Sequence, residues 1–399
     1  MLSSYVPFIR ANAGALSFGV LLMLMSSFGQ TFFISLFGAD LRATYGLSDG
    51  DLGSAYAVAT FASAFTLQRV GRWLDRTSVR RYTIGVAAVL ASACALMALG
   101  INLPMLVGAF YLLRLGGQGL MVHTAQTVTA RAFPRDRGKA LSIANLGMAV
   151  GEALLPATIA VSMLAVGWRN LWGICAVLVV LGCVVALQRV PSGVDPVDTA
   201  RTVPSAPRRF GGLWLDPRVA LTLPVMLASS FIITGFFFHQ TRLLEQKSWA
   251  FEWWASCFVG YAVTRAASVV LIGPVIDRFG AVRILPFYNL PLALSMAAVA
   301  FTDAPWSAPV FLVLMGLSAG MSATLLTALW MELFGSARLG EVRATVASAS
   351  VIASGTSPTI MGYGIDWGIA LSTQAMGLLV FVVLASAVAT RVRAYARPA

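Results

Sequence analysis

The chain reads as an all-α membrane protein of twelve transmembrane helices arranged as two pseudo-symmetric six-helix bundles. Three observations predict this. First, 58% of its 399 residues are hydrophobic and only 11% are charged, and the mean hydropathy is +0.81. A soluble domain carries about 25% charged residues. Second, GRWLDRTSVRR at Gly71–Arg81 recurs in degenerate form as GPVIDRFGAVR at Gly273–Arg283. Gly71 falls on Gly273, Asp75 on Asp277 and Arg76 on Arg278, and the same offset carries Pro156 onto Pro358. One offset that fits two separate landmarks marks a duplicated half. Third, the basic residues are strongly sided, as a multi-pass topology requires.

In chain order the spans are expected at roughly 13–37, 52–70, 82–102, 104–130, 139–165, 168–188, 218–242, 251–274, 283–302, 307–333, 342–364 and 368–390. No charge interrupts Ala11–Ala39, which is long enough for a hydrocarbon core that needs about 20 residues. It is too long for a signal-peptide core and has no cleavage site, so it stays a helix. The second span ends at the first copy of the repeated loop. Spans three and four are separated only around Asn102–Pro104. After span six comes Arg189–Arg218, with Pro191, Pro196, Pro204, Pro207 and Pro217. It is too polar to span and too Pro-rich for one regular helix. The expected organisation is therefore a bundle at 1–188, a cytoplasmic linker at 189–217 and a bundle at 218–399. The remaining loops are short and leave no room for a soluble catalytic domain.

The formal net charge is +12, which in a soluble chain would point to nucleic acid. Its distribution says otherwise. With the amino terminus inside, Arg42, Arg169, Arg242 and Lys247 fall outside, Arg114 and Arg265 lie within spans, and the rest of the 28 Lys and Arg are cytoplasmic. That bias places both termini in the cytoplasm and removes nucleic acid as a partner. Cys94, Cys175, Cys183 and Cys257 all sit in apolar spans, with no metal-ligand spacing and no disulfide framework.

The Gly71-x-x-x-Asp75-Arg76 loop with trailing Arg80 and Arg81 resembles the signature loop of the major facilitator superfamily. The likeness covers the whole chain: twelve spans, a central linker and the loop repeated in the second half. It departs at Ser78, where the family often has Gly, and at Pro274. A second likeness lies in span five. Arg137-x-x-Ala140, then Gly147-x-x-x-Gly151 and Pro156, resembles the monocarboxylate transporter and oxalate–formate antiporter branch. The drug-exporter branch usually has Gly-Pro here, and in this chain Gly151 is followed by Glu152. Arg114 with Gln118 and Gly119 also resembles the family's fourth-helix Arg pattern, one residue longer than usual. The family resemblance implies a secondary transporter that works by alternating access.

The loop also has a reading of its own. Gly71 and Gly273 would let helices approach closely. Asp75 and Asp277 would accept hydrogen bonds from arginines such as Arg76 and Arg278, or from a helix N-terminus. Such contacts would latch cytoplasmic helix ends and break during the cycle. The plainer alternative is that these charges only enforce topology, but that role needs no acid at the matching position of both halves.

An ionisable side chain at membrane depth costs about 2.5–3.5 kcal/mol on insertion scales and marks a pathway by default. Few are present. Arg114 lies mid-span in four. Arg265 lies about 12 Å above the inner end of span eight, at 1.5 Å per residue. Glu152 is mid-span in five, and His239 is near the outer end of span seven. Two central cations against one central acid favour an anion in the cavity. At about 100° per residue, Arg114, Gln118 and Met121 share a face, and His123 falls opposite. Tyr261 and Arg265 are one turn apart, Asn145 aligns with Glu152, and Ser26, Ser27 and Gln30 form a polar patch. The candidate substrate ligands are therefore Arg265, Arg114, Gln30, Tyr261, Gln118 and His239, with Glu152 and His239 as candidates for proton coupling. Each has a structural alternative: Arg114 paired with Glu152, His239 as an interfacial cap beside Arg242 and Glu245, His123 as a packed histidine.

Three substrate classes compete. Transport of a small, monocarboxylate-like organic anion fits Arg265 first, since no acid elsewhere in its half lies at similar depth, with Arg114 as a second ligand. Efflux of amphipathic or drug-like compounds would use an acid in an aromatic cavity, for which Glu152 and Phe236–Phe238 supply a weak version. Transition-metal import is poorly supported, because the chain has two His and no two of its 15 Met are spaced i,i+4. Enzymatic activity is not expected: the sequence shows no nucleophile–base pair, phosphate loop or metal cluster, and calls for no cofactor. Without a nucleotide-binding loop, an ion or substrate gradient would drive transport. The expected setting is a monomer among the lipids of the bacterial inner membrane.

Overall fold

The computed structural model describes residues 5–195 and 213–395, and every regular element among them is helical. Ten helices are long and apolar enough to cross a membrane. They are α1 (Tyr5–Ser26), α3 (Val79–Leu99), α4 (Leu103–Ala132), α5 (Arg137–Val166), α6 (Trp168–Leu187), α7 (Pro217–Phe238), α8 (Phe251–Phe279), α9 (Ala281–Phe301), α10 (Ser307–Gly335) and α12 (Leu371–Ala389). The other two expected spans are helical but more polar. One is α2 (Asp49–Val70), with Asp49 and Asp51 in its first turn and Arg69 in its last. The other, α11, is the part of Ser307–Asp366 beyond Gly335, whose φ of 72° breaks that helix in two. Both use Ser, Thr and Gly where lipid-facing helices carry branched aliphatics.

Large apolar side chains left outside mark the lipid face. On α5, Leu154, Val161 and Leu164 are 59%, 76% and 91% exposed. A protein in water would bury such a row, and hydrocarbon solvates it.

The first expected span is not one continuous helix. α1 stops at Ser26, Ser27–Gly29 tightens into a 3-10 turn, Gln30 is extended (φ −84°, ψ 151°), and Thr31–Ile34 starts a new helix. The polar patch at Ser26, Ser27 and Gln30 is the break itself. The Ser26 hydroxyl donates to the Met23 carbonyl, 2.7 Å away, an alternative to regular helix bonding that Ser offers.

The described residues form two units. The first holds residues up to Gly46 and from Ala55 to 195; the second holds Leu47–Ser54 and 213–395. Most of the expected linker, 196–212, lies outside the described residues. In the first unit α1 packs on α5 and α4, and α3 packs on α6. A Cβ at Gly147 would stand 2.0 Å from the Val20 carbonyl oxygen, so α5 touches α1 backbone to backbone. In the second unit α7 and α8 pack along Ser307–Asp366, and α9 lies against that long helix and α12.

Candidate functional site

In the first unit the break in α1 meets an irregularity in α4. Residues Arg114–Met121 form a π-helical turn, a widening often found at functional sites. Glycines make the meeting possible. A Cβ on Gly29 would stand 2.2 Å from the Leu113 carbonyl oxygen, and one on Gly117 would stand 2.5 Å from the Gly29 Cα. No other residue fits either position.

The π turn resets the helical phase. Arg114 and Met121 are buried, but Gln118 is exposed, so the shared face expected at 100° per residue does not form. Arg114 is 7% exposed. Its Nη1 donates to Thr31 Oγ1 at 3.3 Å, and its guanidinium carbon lies 5.2 Å from the centre of the Tyr56 ring. Thr31 Oγ1 and the Tyr56 hydroxyl are 2.8 Å apart. Arg114 Nε is buried with no hydrogen-bond partner among the described residues. Arg114 thus meets Thr31 and Tyr56. Glu152 is buried on α5 beside Gly151, where a Cβ would stand 2.1 Å from Ser27 Oγ; Asn145, expected to align with it, is exposed. Gln30 is half-buried at the break itself. Thr31 and Tyr56 carried no signal beyond their neighbours, because a hydroxyl in an apolar span is common.

The second unit separates its candidates into two places. Tyr261 is buried with its ring 5.1 Å from that of Phe237 and 6.1 Å from that of Phe258. Arg265, one turn on, is half-buried, and its carbonyl oxygen would stand 2.3 Å from a Cβ on Gly320. His239 belongs to a different cluster, with Asp49, Arg242 and Asp366. It is 1% exposed, its Nε2 lies 2.8 Å from the Pro358 carbonyl oxygen, and its Nδ1 lies 3.6 Å from Asp49 Oδ1. Arg242 Nε donates to Asp49 Oδ2 at 2.8 Å, and Nη1 to Glu245 Oε2 at 2.6 Å. Burial pulls the Arg242 pKa down, but the Asp49 and Glu245 carboxylates outweigh it and raise the guanidinium above its ordinary value. Asp49 and Asp366 went unmarked in the sequence because they lie at span ends, where acids are ordinary.

The two copies of the repeated loop are built differently. After α2, Gly71–Asp75 forms a 3-10 turn, and Arg131 Nη2 donates to Asp75 Oδ1 at 2.5 Å. The Gly71 carbonyl lies 3.2 Å from His123 Nε2, so His123 is tied to the loop. Ser78, where the family often has Gly, caps α3 by accepting from the Arg81 amide. Asp195 accepts from the Val79 amide at 2.7 Å. In the second copy, Gly273–Asp277 stays inside α8, and the helix ends at Gly280 with a φ of 80°. Asp277 is exposed and makes no ion pair among the described residues, because the position matching Arg131 is Leu333. Arg76 and Arg278 are also exposed, and Arg278 sits 5.2 Å from the ring of Phe279. Neither loop glycine mediates close helix contact. A Cβ on Gly273 would meet open space, and one on Gly71 would find nothing nearer than 3.6 Å.

Among the described residues no group of three or more His, Cys, Asp or Glu stands together as a metal site. A cavity of about 300 Å³ opens in the second unit between Gln246, Lys247, Asp303 and Ser372; it contains none of the candidate ligands.

Known proteins place this geometry in a family. The sequence profile of the Major Facilitator Superfamily matches residues 19–358. A gentisate transporter of Corynebacterium glutamicum is 23% identical over 351 residues, covering 84% of this chain and 77% of that protein. Among solved structures, the nucleoside transporter NupG superposes with a TM-score of 0.74 at 14% identity, covering 96% of this chain and 98% of that one. A bacterial homologue of the human lysosomal transporter Spinster, inward-facing and occupied, gives 0.70 at 14% identity, covering 97% of each chain. These two likenesses concern the fold alone. The chain is a multi-pass membrane transporter, not an enzyme, and it belongs to the Major Facilitator Superfamily.

Proposed function

We propose that this transporter moves a small organic anion across the membrane by alternating access, with Arg114 as the principal anion ligand. Arg114 carries the reading. A guanidinium this deep is expensive to bury without a counter-charge. Among the described residues its neighbours are a hydroxyl and an aromatic ring, and the buried Nε keeps an unused donor. A carboxylate would supply the missing acceptor with the bidentate geometry that Arg offers and Lys does not. Gln30 lies beside Thr31 at the break in α1 and is the candidate second ligand. Arg265, with Tyr261 one turn before it, is the candidate anchor in the second unit. The likeness to a gentisate transporter supports the same class, since gentisate is an aromatic carboxylate. The span-five pattern, similar to the monocarboxylate branch, points the same way.

The finer parts of the reading follow the sequence. Both termini are cytoplasmic, the membrane is a bacterial inner membrane, the protein acts as a monomer, and a proton or other ion gradient supplies the energy. Asp75 and its loop act in the conformational cycle without touching substrate.

Uptake into proteoliposomes tests the anion site, with radiolabelled gentisate, benzoate and a short aliphatic carboxylate as probes. Arg114→Lys is expected to weaken the best probe at least tenfold, and Arg114→Gln to abolish its saturable uptake, with both variants folded by melting temperature. Folded Arg114→Gln that retains wild-type uptake would exclude the site. Transport of amphipathic cations with no anion transport would instead favour the aromatic cluster around Tyr261, Phe237 and Phe258.

A further inference from the structure

His239 is the residue at which α7 ends and the short helix Gln240–Lys247 begins. A carbonyl oxygen only accepts, so the 2.8 Å contact with Pro358 puts the hydrogen on Nε2. The nitrogen left to take up a proton is Nδ1. It faces Asp49 Oδ1 at 3.6 Å, and both side chains are 1% exposed. The charged groups around the pair come from each neighbouring element. Arg242 holds Asp49 Oδ2 and also reaches Glu245. Asp366, at the end of α11, accepts from the backbone amides of Asp49 and Gly50 at 3.0 and 2.9 Å. Asp51 caps the exposed side of the same turn through the Ser48 amide, 3.4 Å away. The hydroxyl of Tyr363 stands 3.5 Å from that of Ser54.

The turn that carries Asp49 is seated without intervening space. A Cβ on Gly53 would stand 2.4 Å from the Pro358 carbonyl oxygen, one on Gly50 2.3 Å from the Tyr363 ring, and one on Gly362 2.5 Å from the Asp49 carbonyl oxygen. With His239 and Asp49 each 1% exposed beneath this turn, Nδ1 is shielded from bulk water while residues 47–54 stay seated.

We infer that His239 and Asp49 form a proton-binding site whose occupancy is tied to the seating of the first turn of α2. A proton from solvent adds to the Nδ1 lone pair, and the imidazolium then forms an ion pair with the Asp49 carboxylate, whose Oδ1 lies 3.6 Å away. Raising the turn exposes Nδ1 and returns the proton to solvent. Seating and protonation favour each other by linkage, as any two coupled binding events must. That this proton is the coupling ion of transport rests on the reading under Proposed function; the site itself does not.

The chain has only two histidines, so both can be followed one by one. Full-length protein labelled with 15N-histidine in lipid nanodiscs, with His123→Gln for assignment, reports the ratio of imidazolium to neutral imidazole at His239. At a pH where both forms are visible, Asp49→Asn is expected to lower that ratio at least fivefold. An unchanged ratio would overturn the proposal. A second measurement does not depend on that variant folding. Leu47→Cys places a thiol on the seated segment, while the four native cysteines are buried. Its labelling rate by a water-soluble maleimide is expected to rise at least threefold between pH 5.5 and pH 8, after correction for the reactivity of a free thiol. The rise should be absent when His239→Gln is added. A flat profile in the single variant, or the same rise with His239→Gln, would equally overturn the site. Neither measurement uses a transported anion, so failure here is distinguishable from failure of the Arg114 reading.

Discussion

Gly29 and Gly117 decide whether the Arg114 site exists. Each stands where any side chain would strike backbone of the other helix, and backbone cannot rotate away as a side chain can. Overpacking of this kind costs about 1–3 kcal/mol. Gly117→Ala is therefore expected to lower the melting temperature and to reduce anion uptake more than the loss of folded protein explains. Gly273→Ala is the control, since its Cβ would meet open space, and it should leave both nearly unchanged. Tyr56 makes a finer distinction. Its hydroxyl bonds Thr31 and its ring lies under Arg114. Tyr56→Phe removes only the first of these, so Thr31 is freed to rotate while the ring keeps its place. Probe affinity should change by a few-fold, against a loss of tenfold or more for Tyr56→Ala. Equal losses in the two variants would mean that the hydroxyl, not the ring, holds the site.

Helix ends show a recurring device: acids that cap helices from elsewhere in the chain. Asp195 caps α3, Glu332 accepts from the amides of Ala281 and Val282 at the start of α9, and Asp366 caps α2. Each places negative charge on the positive end of a helix and satisfies amides that have no partner within it. Asp216 is the local version, since it accepts from the Arg218 amide and side chain at the start of α7, with Pro217 in the first turn. The hydrogen bond from Arg218 holds the Asp216 carboxyl below its ordinary value, against a smaller upward push from burial. The stability this contributes is thus fully present above the usual Asp range and is lost as the pH falls through the depressed folded value. Asp216→Ala should cost about 1 kcal/mol, as lost N-caps do, and thermal denaturation should show the gap from wild type closing on acidification. These ends also mark what the sequence allows one to read. Span positions and the repeated loop follow from apolar runs and one internal offset, both local patterns. The break at Ser26–Gln30 appeared only as a polar patch, and the π turn at Arg114–Met121 not at all, because a widened turn has no composition of its own. The Asp366 cap joins residues that only the tertiary fold brings together. Arg265 stands out in the sequence because no acid elsewhere in its half lies at similar depth, whereas the open donor on Arg114 depends on neighbours from α2 and the α1 break.

On the scale of the whole molecule, the sidedness of Lys and Arg predicts that a reporter fused after Ala399 is cytoplasmic; periplasmic activity of that reporter would exclude the topology. The repeated loop carries a further prediction, because its two copies are not equivalent. Asp75 pairs with Arg131, and Asp277 makes no ion pair among the described residues. The Asp75 and Arg131 side chains are 64% and 30% exposed, and an ion pair so wet contributes about 0–1 kcal/mol to stability. It is a weak reason for folding, but a contact of that size is well suited to be made and broken in each cycle. Asp75→Asn is therefore expected to slow transport at least fivefold while leaving equilibrium probe affinity within a few-fold and the melting temperature nearly unchanged. Asp277→Asn, which breaks no such pair, should slow it much less. Reversing the pair separates contact from charge. Asp75→Arg and Arg131→Asp should each impair transport alone, and the double variant should recover a substantial part of the rate if the pair itself is what matters. A double variant no better than either single one would show that the acid acts through something other than Arg131. Loss of probe binding in folded Asp75→Asn would go further, and move the loop from the conformational cycle into the substrate site.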